Sequence, residues 1–115
     1  MATGNYEVDG KKIPYDVEGY IVNLSDWSPE LAEVIARSES IDLTPDHWEV
    51  INLVREYYDT FAIAPDIRVL VKYMKKKMGP EKGSKEYLAR LFPGEGSPAA
   101  RLAKIAGLPK PSGCI

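Results

Sequence analysis

Proline follows a potential capping side chain again and again in this sequence, and that pattern restricts the fold more than any other feature. Ser28-Pro29-Glu30 and Thr44-Pro45-Asp46 each combine a hydroxyl cap, a proline at the first helical position and an acid near the positive end of the helix. Ser97-Pro98 repeats the hydroxyl and proline, Ser84 offers a further cap, and the Ala64-Pro65 break opens a segment beginning at Asp66. The chain is thereby cut into five short helices.

Apolar spacing assigns each helix an inner face. A helix over about 29–38 groups Leu31, Val34 and Ile35, and one over about 45–60 groups Trp48, Ile51 and Val54 or Tyr58. Residues 66–78 place Ile67, Leu70, Val71 and Met74 together, with a basic opposite face, until Gly79-Pro80. A fourth helix runs from Ser84 through Tyr87, Leu88, Leu91 and Phe92 to Pro93, and a fifth from Ser97 through Leu102, Ile105 and Ala106 to Gly107. Ahead of them, Tyr6 to Ile13 alternates in polarity about Asp9-Gly10, a pair that tolerates the positive φ angles of a type I′ turn. Pro14 and the stretch Val17–Val22 with Gly19 read as an irregular extension leading onto the helical body. The predicted fold is mainly α within an α+β class: five packed helices, an N-terminal β-hairpin and a flexible C-terminal arm. The body would span 1–107 and the arm 108–115.

Composition narrows the function classes. At 115 residues and 44% hydrophobic the chain suits one domain with its own core, which excludes a multidomain enzyme or a disordered tail protein. No apolar run approaches the roughly 20 residues of a membrane span, and the first residues lack the basic-then-apolar pattern of a secretory signal, so a cytoplasmic protein without membrane contact is expected. One cysteine and one histidine are too few for the usual four-ligand zinc site, so no metal or other cofactor is expected. Charge is unevenly distributed: residues 1–65 hold 4 Lys/Arg against 13 Asp/Glu, and residues 66–115 hold 11 against 4. The second half should attract anions or an acidic partner face.

Cys114 is the candidate for chemistry. A thiol on a terminal segment is poorly placed to fill a core, and seven extended residues from Leu108 to Cys114 could carry the sulfur on the order of 20 Å from the body. Nucleophilic sulfur chemistry needs the thiolate, which nearby positive charge favours. Lys110 lies on the arm beside Gly113, and Arg68, Lys72, Arg101 and Lys104 are candidate cations for a landing or partner-contact surface.

The stretch Ile105-Ala-Gly-Leu-Pro-Lys-Pro-Ser-Gly-Cys-Ile115 strongly resembles the C-terminal arm of the DsrC/TusE family, small proteins that carry sulfur on a penultimate cysteine. The likeness extends to Val8-Asp-Gly-Lys11, Glu18-Gly-Tyr20, Leu43-Thr-Pro-Asp-His-Trp48, Val54-Arg-Glu-Tyr-Tyr58, Ala64-Pro-Asp-Ile-Arg-Val-Leu-Val-Lys72 and Tyr87-Leu-Ala-Arg-Leu-Phe-Pro93. It implies packed helices with a small N-terminal hairpin and a flexible arm, and a persulfide held on Cys114. Members of the DsrC type use a second cysteine about eleven residues upstream in disulfide or trisulfide chemistry linked to dissimilatory sulfite reductase; that position here resembles Ala103. Without a resolving thiol an intramolecular disulfide cycle is closed, while one-cysteine persulfide relay stays open. The resemblance therefore implies a sulfurtransferase that takes sulfur from a TusBCD-like donor, through its TusD subunit, and supports an MnmA-like tRNA 2-thiouridylase. The alternative is a single-cysteine, DsrC-like role in dissimilatory sulfur metabolism or its regulation.

Other classes fit less well. Helices 45–60 and 66–78 could be read as helix-turn-helix with Arg68, Lys72, Lys75, Lys76 and Lys77 facing phosphates, but the second of the pair has few side chains suited to base edges and the overall charge is negative. Trp48 is expected to pack the core, with His47 facing solvent or capping a local contact, and Tyr57, Tyr58, Tyr73 and Tyr87 to lie in or at the edge of the core. Ser112 has no histidine nearby in sequence, and no Gly-rich phosphate loop occurs.

Overall fold

Asp9 and Gly10 take φ values of 50° and 78°, the two left-handed positions of a type I′ turn, and the flanking strands pair across them in a computed structural model that describes residues 2–112. Strands β1 (Gly4–Val8) and β2 (Lys11–Tyr15) are antiparallel, with Tyr6 opposite Ile13 and Val8 opposite Lys11. Their shared inner face presents Tyr6, Val8 and Ile13 to the helices. The expected irregular extension folds back on β2: Ile21 bridges Tyr15, and the Val22 N–H donates to the Pro14 carbonyl at 3.0 Å.

Five helices follow: α1 (Pro29–Ser38), α2 (Pro45–Phe61), α3 (Ile67–Met78), α4 (Lys85–Leu91) and α5 (Pro98–Ile105). Their starts are fixed locally. Backbone N–H groups three residues on donate to Ser28 Oγ and Ser84 Oγ at 3.1 Å, to Asp66 Oδ1 at 3.0 Å and to Ser97 Oγ at 3.4 Å. The predicted inner faces are the inner faces observed, with Leu31, Ile35, Ile51, Leu70, Met74, Leu88, Phe92, Leu102 and Ile105 fully buried.

Helix α5 touches α1, α2, α3 and α4 although it is only 8 residues long. Ala99, Ala103 and Ala106 let four neighbours approach its axis, and Leu102 and Ile105 fill the space between them. Ala103 is thus an interior position, 1% exposed.

The α2 start decides between the two sequence expectations for His47, in favour of the local cap. His47 is buried and does not face solvent, while Trp48 is half-buried against the core. The Thr44 N–H can only donate, so His47 Nδ1 accepts it at 3.1 Å and Nε2–H donates to the Leu91 carbonyl at 2.6 Å. The ring links the start of α2 to the end of α4 and packs edge-on against Phe92. Tyr57 is buried and Tyr58, Tyr73 and Tyr87 half-buried, as expected.

No helix among the described residues is long and apolar enough to cross a membrane, and no group of three or more His, Cys, Asp or Glu side chains there is arranged to hold a metal.

Candidate functional site

The chain that leads to Cys114 leaves α5 through a tightly specified C-terminal cap. Gly107 adopts φ 72°, its N–H donates to the Lys104 carbonyl at 3.2 Å, and the Leu108 N–H reaches back to the Ala103 carbonyl at 2.9 Å. This is a Schellman arrangement, with the buried Leu108 as its apolar contact. Two side chains from elsewhere serve the last carbonyls. The Trp27 indole N–H donates to Ile105 O at 2.9 Å, and Arg55 donates to Ala106 O at 2.7 Å while its guanidinium lies 3.7 Å from the centroid of the Trp27 ring. Burial there lowers the pKa of Arg55 from its ordinary value, an effect that Asp59 partly opposes. Trp27 also explains why residue 107 is glycine: a β-carbon would overlap the indole Cδ1 and come within 2.6 Å of Cγ.

Beyond the cap, Pro109 and Lys110 are exposed and Pro111 is buried. Lys110 Nζ meets Glu18 Oε2 at 2.6 Å and so ties this segment to the turn after β2. That turn is closed by hydrogen bonds: Asp16 Oδ1 accepts the N–H groups of Glu18 at 2.9 Å and Tyr20 at 3.1 Å, and the Gly19 carbonyl accepts from Tyr6 OH at 2.6 Å. Gly113 and Cys114 lie outside the described residues. Cys114 is two residues beyond Ser112, so covalent geometry keeps its Cα within about 7 Å of that of Ser112.

Lys110 forms one wall of an open cleft of about 230 Å³ that also takes in Tyr20, Glu39, Arg101 and Lys104. Three of the cations predicted from sequence therefore meet beside the root of the cysteine segment. Each already has a partner. Lys104 Nζ lies 2.8 Å from Glu39 Oε1 and 5.4 Å from the Tyr20 ring centroid, and Arg101 donates to the carbonyls of Phe92, at 2.9 Å, and Glu95. Tyr20 OH donates to Ala100 O at 2.9 Å, closing the cleft against α5. The pairing with Glu18 and Glu39 makes the cleft a nearly neutral cradle for the segment and weakens it as a cationic trap for an anion.

Arg68 and Lys72 are not part of this cleft. They stand on the exposed outer face of α3, apart from Lys104 and Lys110. Sequence reasoning missed Trp27, Arg55, Glu18 and Glu39, because the contacts that give them meaning span 51 to 92 residues and leave no local periodic signal.

Comparison with known proteins agrees with this architecture. Residues 7–115 match the family described as DsrC like protein. The sulfurtransferase TusE of Escherichia coli (strain K12) is 53% identical over 107 residues, covering 93% of this chain and 96% of that protein, and TusE of Yersinia pseudotuberculosis is 51% identical over 109. Among solved structures, the NMR structure of Allochromatium vinosum DsrC superposes with a TM-score of 0.87 at 50% identity over 100% of both chains. The oxidized γ-subunit of dissimilatory sulfite reductase, DsrC, from Archaeoglobus fulgidus gives a TM-score of 0.81 at 38% identity, covering 96% of this chain and 99% of that one. A match that runs to the final residue, with half-identical relatives along nearly the whole length, means that the chain belongs to the DsrC-like protein family.

Proposed function

We propose that this protein is a sulfurtransferase of the carrier type, holding sulfane sulfur as a persulfide on Cys114. The observation that carries the reading is the near-complete correspondence to relatives named sulfurtransferase, within a family match that includes the cysteine-bearing end. In the loading step the Cys114 thiolate attacks the outer sulfur of a donor persulfide. A new S–S bond forms on Cys114, the donor's S–S bond breaks, and the donor departs as a thiolate that takes up the proton. The count of electrons is unchanged, so no external oxidant is required. Unloading is the same exchange, with an acceptor thiolate attacking the outer sulfur of Cys114.

The body contributes presentation. The cap at Gly107 fixes where the segment leaves α5, and Pro109 and Pro111 restrict the conformations it must give up on docking. Lys110, Arg101 and Lys104 supply a modest positive bias at the root of the cysteine segment, limited by their carboxylate and carbonyl partners. The protein turns over no small molecule by itself. Its donor is a TusBCD-like complex acting through its TusD-type subunit, its acceptor an MnmA-like thiouridylase with tRNA, and its compartment the cytoplasm.

A second reading, service to dissimilatory sulfite reductase, draws support from the 38% identity to the Archaeoglobus fulgidus γ-subunit of that enzyme. Ala103 counts against the two-thiol form of that role, because the position that resembles the second cysteine carries a methyl group inside the core.

The test is intact-mass analysis after incubation with a persulfidated donor. The native chain should gain the mass of one sulfur, removable by reductant, and Cys114→Ser should gain none. A truncation lacking residues 113–115 should behave like the serine variant. It is cleaner than removal from 108 onward, which would strip the buried Leu108 from the α5 cap. Loading of the serine variant would overturn the carrier reading.

A further inference from the structure

Four outward-facing cations of α3 differ from those of the cleft in having no neutralising partner among the described residues. Arg68, Lys72 and Lys76 recur at one-turn spacing with Lys75 beside them, all exposed, and none forms an ion pair with a described residue. Helix α3 itself contains no acid. Its capping Asp66 spends its carboxylate on the Val69 N–H at 3.0 Å, and the nearby Glu56 is taken up by Lys77 at 3.9 Å and Tyr73 at 3.5 Å.

An apolar edge borders this stripe. Three of the five large hydrophobic side chains exposed among the described residues, Phe61, Ile63 and Val69, sit where α2 turns into α3, at 52%, 61% and 40% exposure. Ala62, at φ 60°, turns the chain there, and Phe61 packs at 4.6 Å on Tyr57, which in turn meets Tyr73 edge-on at 5.0 Å. Aromatic and aliphatic anchors beside unpaired charge are the composition of a protein-docking patch. A nucleic-acid backbone would satisfy the cations, and a base could stack on Phe61, but the aliphatic Ile63 and Val69 would gain no partner from it.

We infer that the outer face of α3, with Phe61, Ile63 and Val69, is the docking surface for an acidic, apolar-studded face of the protein that donates sulfur. The inference rests on the carrier reading. A donor that handles no nucleic acid is free to present carboxylates around its sulfur site, whereas an acceptor that holds tRNA needs cationic surface around its own transfer site, the region a carrier has to approach. Docking on α3 also leaves the paired cleft undisturbed, so capture of the partner and presentation of Cys114 use separate surfaces.

The experiment compares loading of Cys114 from two sources, a persulfidated TusBCD-type donor complex and glutathione persulfide, which has no surface to dock. For the triple variant Arg68→Glu, Lys72→Glu, Lys76→Glu the ratio of protein-donor to glutathione loading rates should fall about tenfold or more. For the native chain the same ratio should fall as salt rises from about 50 to about 300 mM. Ile63→Ser should lower the ratio several-fold without changing its salt dependence. Lys11→Glu, Lys12→Glu, which reverses exposed charge on the hairpin, should leave it unaltered and so separates local docking from net charge. A native ratio in the α3 triple variant overturns the inference while the carrier reading stands. Binding of tRNA that the triple variant loses, with donor loading unaffected, reassigns the stripe to nucleic acid and likewise overturns it. Absence of sulfur on native Cys114 from both sources removes the carrier reading and the inference with it.

Discussion

Replacing Gly107 with alanine should be one of the most damaging small changes available to this chain. Two costs combine. A β-carbon at φ 72° places an L-residue in the left-handed region, at about 1 kcal/mol. The same carbon collides with the Trp27 ring and forces it to move. Moving the indole forfeits its hydrogen bond to the Ile105 carbonyl, about 1 kcal/mol net, and its stacking under Arg55, about 1–2 kcal/mol for a partly desolvated pair. The sum is about 3–4 kcal/mol, or on the order of 10–20 °C in Tm for a domain of this size. Gly10→Ala is the matched control, because φ 78° there carries the conformational cost with nothing within 4 Å of the added carbon. It should cost about 1 kcal/mol. Urea unfolding followed by far-UV circular dichroism measures both without relying on Trp27 as the reporter. Adding Trp27→Ala to Gly107→Ala removes the collision, so the double variant should be less destabilised than the two single changes summed. Equal costs at positions 107 and 10, or strict additivity with Trp27→Ala, would refute the account of the α5 cap.

Two further outcomes follow from buried polar groups. His47→Ala removes the ring that serves both the Thr44 N–H and the Leu91 carbonyl and packs on Phe92, and should cost about 2–4 kcal/mol in urea unfolding; a loss below about 1 kcal/mol would mean that water replaces the ring. Burial, reinforced by the Glu39 charge, pushes the Tyr6 hydroxyl up to about 12 in the folded chain, against an ordinary value of 10.0. Below pH 10 the phenol is neutral in both folded and unfolded chains and contributes no slope. Between pH 10 and 12 the unfolded chain ionises first, so stability should fall through that window, and Tyr6→Phe should flatten its share of the fall when urea midpoints are compared from pH 9 to 12.

The helices were legible because their determinants are short-range. A cap three residues from its N–H, a proline at the first position and an apolar repeat of three and four all lie inside a single segment, so Pro29–Ser38 matches its expected bounds and the others fall within about two residues of theirs. Asp9-Gly10 likewise encodes its own turn. For His47 the local cap was legible and the burial was not, for the opposite reason. Its burial depends on the end of α4, which lies 44 residues away at Leu91, and a first-turn position with acidic neighbours gives no local hint of it. Of the cations named from the sequence, Arg101, Lys104 and Lys110 line one cleft, whereas Arg68 and Lys72 belong to a different face of the molecule.

The five helices, the hairpin and their inner faces are written in short-range signals, since each depends on neighbours within a few positions. Which charges are paired is written nowhere in that short range. Lys104 and Lys110 are neutralised by Glu39 and Glu18, which lie 65 and 92 residues away, while the α3 stripe has no such partner among the described residues. Helical periodicity reports which residues share a face but says nothing of what packs against it. The division into a paired cradle at the root of the cysteine segment and an unpaired face on α3 therefore arises only when distant segments meet.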